Sequence, residues 1–193
     1  MSAKATLPKG FCKWIRKWLQ KNPGRALEDE MLKKFHHRTH LSQAEARSLC
    51  EWKFQSDARR RKAAVEGIDD AHWSGPNGAE TKIKEALRDK DDFKALRATA
   101  ALSTAGVLGW GPAMGSAILA ATQPDRFTVI DKRALKSLRA HGLHPVGDEN
   151  ATLADWTGYL ATCRSIALQC GFTLRDVDRA LYAANGSVGM PPP

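Results

Sequence analysis

The segment Leu108-Gly109-Trp110-Gly111-Pro112-Ala113-Met114-Gly115-Ser116 puts glycines and a proline between two stretches with helical patterning. Gly109 and Gly111 allow a close backbone approach, so consecutive N–H groups and the start of the next helix can converge on one anion. A phosphate fits such a cradle. The plain alternative is a tight interhelical turn in which Gly115 and Ala117 let helices pack closely. Further on, Phe127-Thr128-Val129-Ile130 is a short apolar extended stretch that delivers Asp131, followed by Lys132 and Arg133. A carboxylate at a helix start beside two cations is favoured in its ionised form. It can orient a water or steady a developing positive charge, or it can simply cap the helix. His36, His37 and His40 lack the carboxylate or cysteine partners of a metal centre and read as a solvated basic helix end. No metal site is expected.

The elements that must hold these residues are helical. Phe11, Trp14, Ile15 and Trp18 recur at three- and four-residue spacing, after Pro8 and before Asn22-Pro23-Gly24, which predicts a first helix. A second spans about 26–36. Ser42 with Glu45 reads as a capping box that opens a third, along which Ala46, Leu49, Cys50 and Trp52 line one side. The run Arg59-Arg60-Arg61-Lys62 is a solvated surface that either continues this helix or faces a polyanion. Ser74-Gly75-Pro76-Asn77-Gly78 is the strongest interior loop signal and a candidate lobe boundary. Helical patterns follow over 79–87, 92–104, 112–121 and 132–140. Thr152 with Asp155, and Thr173 with Asp176, read as N-caps of two C-terminal helices. Residues 187–193 read as a frayed tail. No sustained alternation marks a sheet, so the expected fold is all-α, a two-lobed helical bundle. The expected lobes are a basic N-terminal one at about 8–73, one containing the glycine turn at about 79–140, and C-terminal helices at about 152–185.

The chain has 193 residues with 30 Lys+Arg against 21 Asp+Glu, a net charge of +9. Residues 1–66 hold 16 of the cations and 7 of the acids, leaving 14 and 14 for the remainder. The excess positive charge therefore belongs to the first third, which points to a polyanion, with nucleic acid ahead of a merely solvated basic face. The dispersed tryptophans argue against a membrane anchor. No apolar run spans a bilayer and no signal peptide opens the chain, so a cytoplasmic location is expected, nucleoid-associated if prokaryotic. Cys12, Cys50, Cys163 and Cys170 are widely scattered without paired spacing and read as reduced thiols.

The stretch Leu108 to Ser116 resembles the hairpin of the helix-hairpin-helix DNA glycosylase superfamily, the endonuclease III and 8-oxoguanine glycosylase type, whose pattern is approximately L-P-G-x-G-x-x-T-A. In that family an I-D or V-D dipeptide follows the hairpin's second helix and carries the catalytic aspartate; Ile130-Asp131 stands in that place, preceded by a similar loop, Pro124-Asp125-Arg126-Phe127. The lyase members carry lysine at the position of Ala113, 18 residues before Asp131. The chain departs from the pattern in having no proline between Leu108 and Gly109, in Gly115-Ser116 for Thr-Ala, and in Lys132-Arg133 for Thr-His, which marks a divergent branch. The resemblance covers about a quarter of the chain.

The resemblance implies an enzyme that flips a damaged or modified base from DNA and hydrolyses its N-glycosidic bond. Asp131 would stabilise the oxocarbenium-like transition state and orient water. Without an amine at Ala113 the enzyme is expected to be monofunctional, leaving an intact abasic site, unless Lys53, Lys132 or Lys136 substitutes. Leu108, Gly109, Trp110, Gly111, Ala113, Gly115 and Ser116 would grip the DNA backbone. Trp52, Lys53, Phe127, Lys132 and Arg133, with Trp73 as a further aromatic, are candidates for the base pocket or DNA contact. No iron–sulfur cluster is expected, since only Cys163 and Cys170 lie in the C-terminal region; a cation at the hairpin would be compatible. A monomer suits a protein that bends duplex DNA. The alternatives are a non-catalytic helix-hairpin-helix DNA-binding module, which differs at Asp131, and a helical protein–protein adaptor, which would show no salt-dependent DNA binding.

Overall fold

The computed structural model of the protein describes residues 6–21, 25–102, 110–143 and 153–189. Among these there are ten α-helices and no strand. The all-α expectation holds. The chain divides into two compact units, Met1–Glu28 with Asp125–Pro193, and Asp29–Pro124. These units do not follow chain order as the expected lobes do.

The first unit contains α1 (Phe11–Gln20), the start of α2 (Arg25–Phe35), α8 (Lys132–Ala140), α9 (Leu153–Cys170) and α10 (Leu174–Ala184). The α1 spacing seen in sequence buries Phe11, Trp14 and Ile15, each contributing roughly 1.5–3 kcal/mol of hydrophobic stabilisation. Its apolar face meets α10, which also packs on α8. His141, just beyond α8, lies edge-on to both Phe11 and Trp14. That affinity for the C-terminal helices is why α1 leaves the expected N-terminal lobe. Thr173 and Asp176 form a reciprocal capping box on α10, as the sequence predicts. The Thr152 cap lies outside the described residues.

Two expectations are corrected in this unit. Cys12 and Cys170 are joined in a disulfide, leaving Cys50 and Cys163 as buried thiols. Helix packing brings the two Cα atoms to 5.2 Å although they lie 158 positions apart, a proximity that no local spacing pattern can show. The bond also removes the cysteine-based argument for a reducing compartment. Second, the start of the expected frayed tail is held in place. The Gly186 N–H donates to Ser137 Oγ, and the Gly189 carbonyl accepts from the indoles of Trp14 and Trp18 at 3.0 and 3.2 Å.

The second unit holds the rest of α2 with α3 (Gln43–Lys53), α4 (Ala58–Asp69), α5 (Ala79–Arg88), α6 (Asp92–Ala100) and α7 (Pro112–Thr122). The Ser42–Glu45 capping box opens α3. The Arg59–Lys62 run does not continue α3: it lies in a separate helix whose first turn is capped by the Asp57 side chain. The expected lobe boundary at 74–78 is a tight loop inside this unit, where a side chain at Gly78 would collide with the Trp73 carbonyl. The apolar helix α7 crosses α6 closely because Gly115 has no side chain. A Cβ there would lie 2.9 Å from Thr99 and Ala100 backbone atoms.

Candidate active site

Asp131 is the N-cap of α8, and its carboxylate accepts the Arg133 N–H at 2.8 Å. The capping geometry follows from extended backbone at Asp131 itself. The four residues before it are buried and lie outside any helix. Phe127 is fully buried and stacks on Trp156 of α9, with ring centroids 6.1 Å apart. The Trp156 indole donates to the Thr128 carbonyl at 3.3 Å, and Arg164 donates to the Arg126 carbonyl at 2.5 Å. Helix α9 thus clamps the approach segment, and the chain emerges at a half-buried Asp131 followed by exposed Lys132 and Arg133. The carboxylate lies outside the closed hydrophobic interior. Arg133 is already engaged: it donates to the Tyr182 hydroxyl at 2.8 Å and lies over that ring. Lys132 has no ion pair among the described residues.

Leu108 and Gly109 lie outside the described residues. Gly111 is the N-cap of α7 and supplies no capping side chain, while Pro112 occupies the first helical position without an N–H of its own. The partly exposed residues at this helix start are Gly111, Pro112 and Ala113. Trp110 is 5% exposed and its indole N–H has no hydrogen-bond partner, while burial pushes the neighbouring Cys50 thiol up to about 12. Cys50 Sγ in turn lies 3.6 Å from Met114 Sδ. The Trp110 ring is therefore core packing between α3 and α7, not an aromatic at an exposed tip. Gly115 and Ser116 are likewise buried, the first at the α6 crossing and the second with its hydroxyl on the Ala113 carbonyl. Neither residue presents a side chain to DNA in this conformation.

Of the suggested base-pocket residues, Phe127 is interior to the first unit, whereas Trp52 and Lys53 are half-buried at the end of α3 in the second. Trp73 is buried, and its indole N–H has no hydrogen-bond partner. His36 and His37 stack on one another in solvent. No group of three His, Cys, Asp or Glu among the described residues could hold a metal ion.

Sequence reasoning missed a buried ionic cluster in the first unit. Glu28 pairs with Arg175 and Arg179, Arg175 also pairs with Asp178, and Asp178 accepts the Tyr159 hydroxyl at 2.5 Å. Burial first, and then Asp178, hold the Tyr159 phenol and the Cys163 thiol well above their ordinary ranges. Both stay protonated, so this is a structural lock, not an activated nucleophile. Its only sequence trace is charge at inward positions of α10. A shallow groove of about 400 Å³ between α5 and α6 sets Glu85 and Asp89 near Lys94 and Arg97. Comparison of the chain with protein-family models, with curated proteins and with solved structures finds no match in any of the three.

Proposed function

We propose that the protein is a DNA glycosylase of helix-hairpin-helix type, with Asp131 as its catalytic carboxylate. The observation that carries this reading is the presentation of Asp131: a clamped apolar segment ends in a half-buried acid at a helix start, beside exposed Lys132. Departure of a base from deoxyribose leaves positive charge on the sugar, and a fixed carboxylate lowers the cost of that charge. The two-lobed arrangement and the phosphate grip by backbone N–H groups around Gly111 belong to the same proposal, as does a duplex DNA partner. Ala113 supplies no amine, so water is the nucleophile and the strand stays intact.

The test is release of bases from a panel of duplexes bearing damaged or modified bases, read by alkali cleavage at abasic sites. Asp131→Asn should lower release from the preferred duplex by about a hundredfold or more while duplex affinity is retained. Borohydride trapping should give no covalent protein–DNA adduct; efficient trapping overturns the monofunctional reading. The hydrogen bond from the Arg133 N–H favours a second reading, in which Asp131 only caps α8 and the protein is a non-catalytic DNA-binding module. In that case wild type binds duplex and releases no base from any substrate.

A further inference from the structure

We infer that the solvent face of α1 is a rigid docking strip for the sugar–phosphate backbone of duplex DNA beside the Asp131 site. The inference rests on the DNA reading above and locates where that affinity resides. The structure sorts the basic N-terminal third into two kinds of charge. On α3 and α4 part of it is compensated: Arg47 pairs with Glu51 and Asp69, Arg60 with Asp57, and Lys62 with Glu66, while Arg59 and Arg61 are exposed. On and beside α1 it is not. Lys9, Lys13, Arg16, Lys17 and Lys21 are exposed and have no ion pair among the described residues, and α1 itself contains no acid.

Helical periodicity places Lys13, Arg16 and Lys17 on one stripe opposite the buried Phe11, Trp14 and Ile15. At 1.5 Å per residue, Lys13 to Lys21 covers roughly 12 Å, the rise of three or four phosphates of one DNA strand. The described acids of the same unit are largely committed elsewhere. Glu28 and Asp178 lie in the buried cluster, Asp155 lies 3.7 Å from Arg139, and Asp131 and Asp176 cap helices. Residues 186–189 carry no carboxylate and run from the Lys136 side chain to Trp18, so Lys132 and Lys136 extend the cationic surface along α8 toward Asp131.

Two observations favour nucleic acid over an anionic membrane. A membrane-seeking amphipathic helix needs its apolar face free, and here that face is consumed by the protein core: Phe11 is 2%, Trp14 3% and Ile15 0% exposed. The helix is also fastened, by the Cys12–Cys170 bond and by Arg16 lying over the Phe172 ring. A fastened row of cations loses little entropy on meeting a regular row of phosphates.

The test is anisotropy of a labelled, unmodified duplex over a salt series. Lys13→Gln/Lys17→Gln/Lys21→Gln should weaken binding about tenfold or more and reduce the log–log salt slope by about 2 to 3. Lys→Arg at the same three positions should restore both. A charge-matched variant on the other unit, Lys33→Gln/Lys84→Gln/Lys90→Gln, should change affinity less. Equal losses from the two Gln sets, or none from the α1 set, overturn the strip, as does wild-type binding to phosphatidylserine vesicles but not to duplex. The catalytic reading fails separately: if wild type releases no base yet the α1 variant loses affinity, the strip stands and Asp131 chemistry falls. If base release depends on Asp131 while the α1 variant binds normally, the reverse holds.

Discussion

Asp131 caps α8, and the catalytic role proposed for it makes a physical demand that can be separated from capping. Asparagine caps a helix about as well as aspartate, whereas alanine does not, at a cost of about 1 kcal/mol. Asp131→Asn should therefore keep the thermal midpoint of wild type and lose base release, and Asp131→Ala should lose both. Equal activity of wild type and Asp131→Asn would reduce the residue to a cap. Cysteine reactivity offers an independent check on the interior. With Cys50 pushed up to about 12 and Cys163 buried, the native protein at pH 8 should take up essentially no maleimide. Unfolding without reductant should expose two thiols, and reduction should bring the total to four. Four reactive thiols in unreduced protein would refute the disulfide. Asp131 was legible in the sequence as a helix start, because an apolar run gives way there to an acid and two cations; its candidacy as a catalytic group came from the resemblance to the glycosylase pattern. The burial of Trp110 and Phe127 was not legible, since a type-based reading gives an aromatic the same weight at a tip as in a core.

Among the helices, α8 was readable to its boundaries because cap and periodicity agree, and the α3 and α10 boxes were readable for the same reason. Helix α4 was not, because Ala58-Arg59-Arg60-Arg61-Lys62 offers no apolar spacing and the Asp57 cap was overlooked. The α6–α7 crossing depends on one missing side chain. Gly115→Val should cost about 1–3 kcal/mol through backbone displacement at Thr99 and Ala100, read as a lowered denaturation midpoint. The α3 box gives a pH signature. Burial raises the Glu45 pKa, but hydrogen bonds from Ser42 and the charges of Arg38 and His40 outweigh it, so the net shift is downward. A carboxyl depressed by folding stabilises above its unfolded pKa and loses that contribution as pH falls through its folded value. The stability gap between wild type and Glu45→Gln should thus be full near neutrality and close in acid, below the ordinary carboxylate range. A gap that persists there contradicts the ionic box.

For the molecule as a whole, composition announced a cation-rich protein and apolar periodicity a helical one, but neither showed how its segments partition. The N-terminal 28 residues join the C-terminal third in one unit, and residues 29–124 form the other, because the α1 apolar face is satisfied by α10. Partnerships this distant leave no trace in a window of one helix. Reducing the Cys12–Cys170 bond should lower global stability by about 2–4 kcal/mol, measurable as a drop in the midpoint of denaturant unfolding; an unchanged midpoint would mean that helix packing alone sets the closure. The bond also governs how the protein carries tension. Force applied outside positions 12 and 170 passes directly through sulfur, and residues 13–169 feel none of it. Stretching in an optical trap should then release only short terminal lengths until a reductant is added, whereupon a long extension becomes available. A peptide-translocating motor engaging either end would meet the same covalent stop.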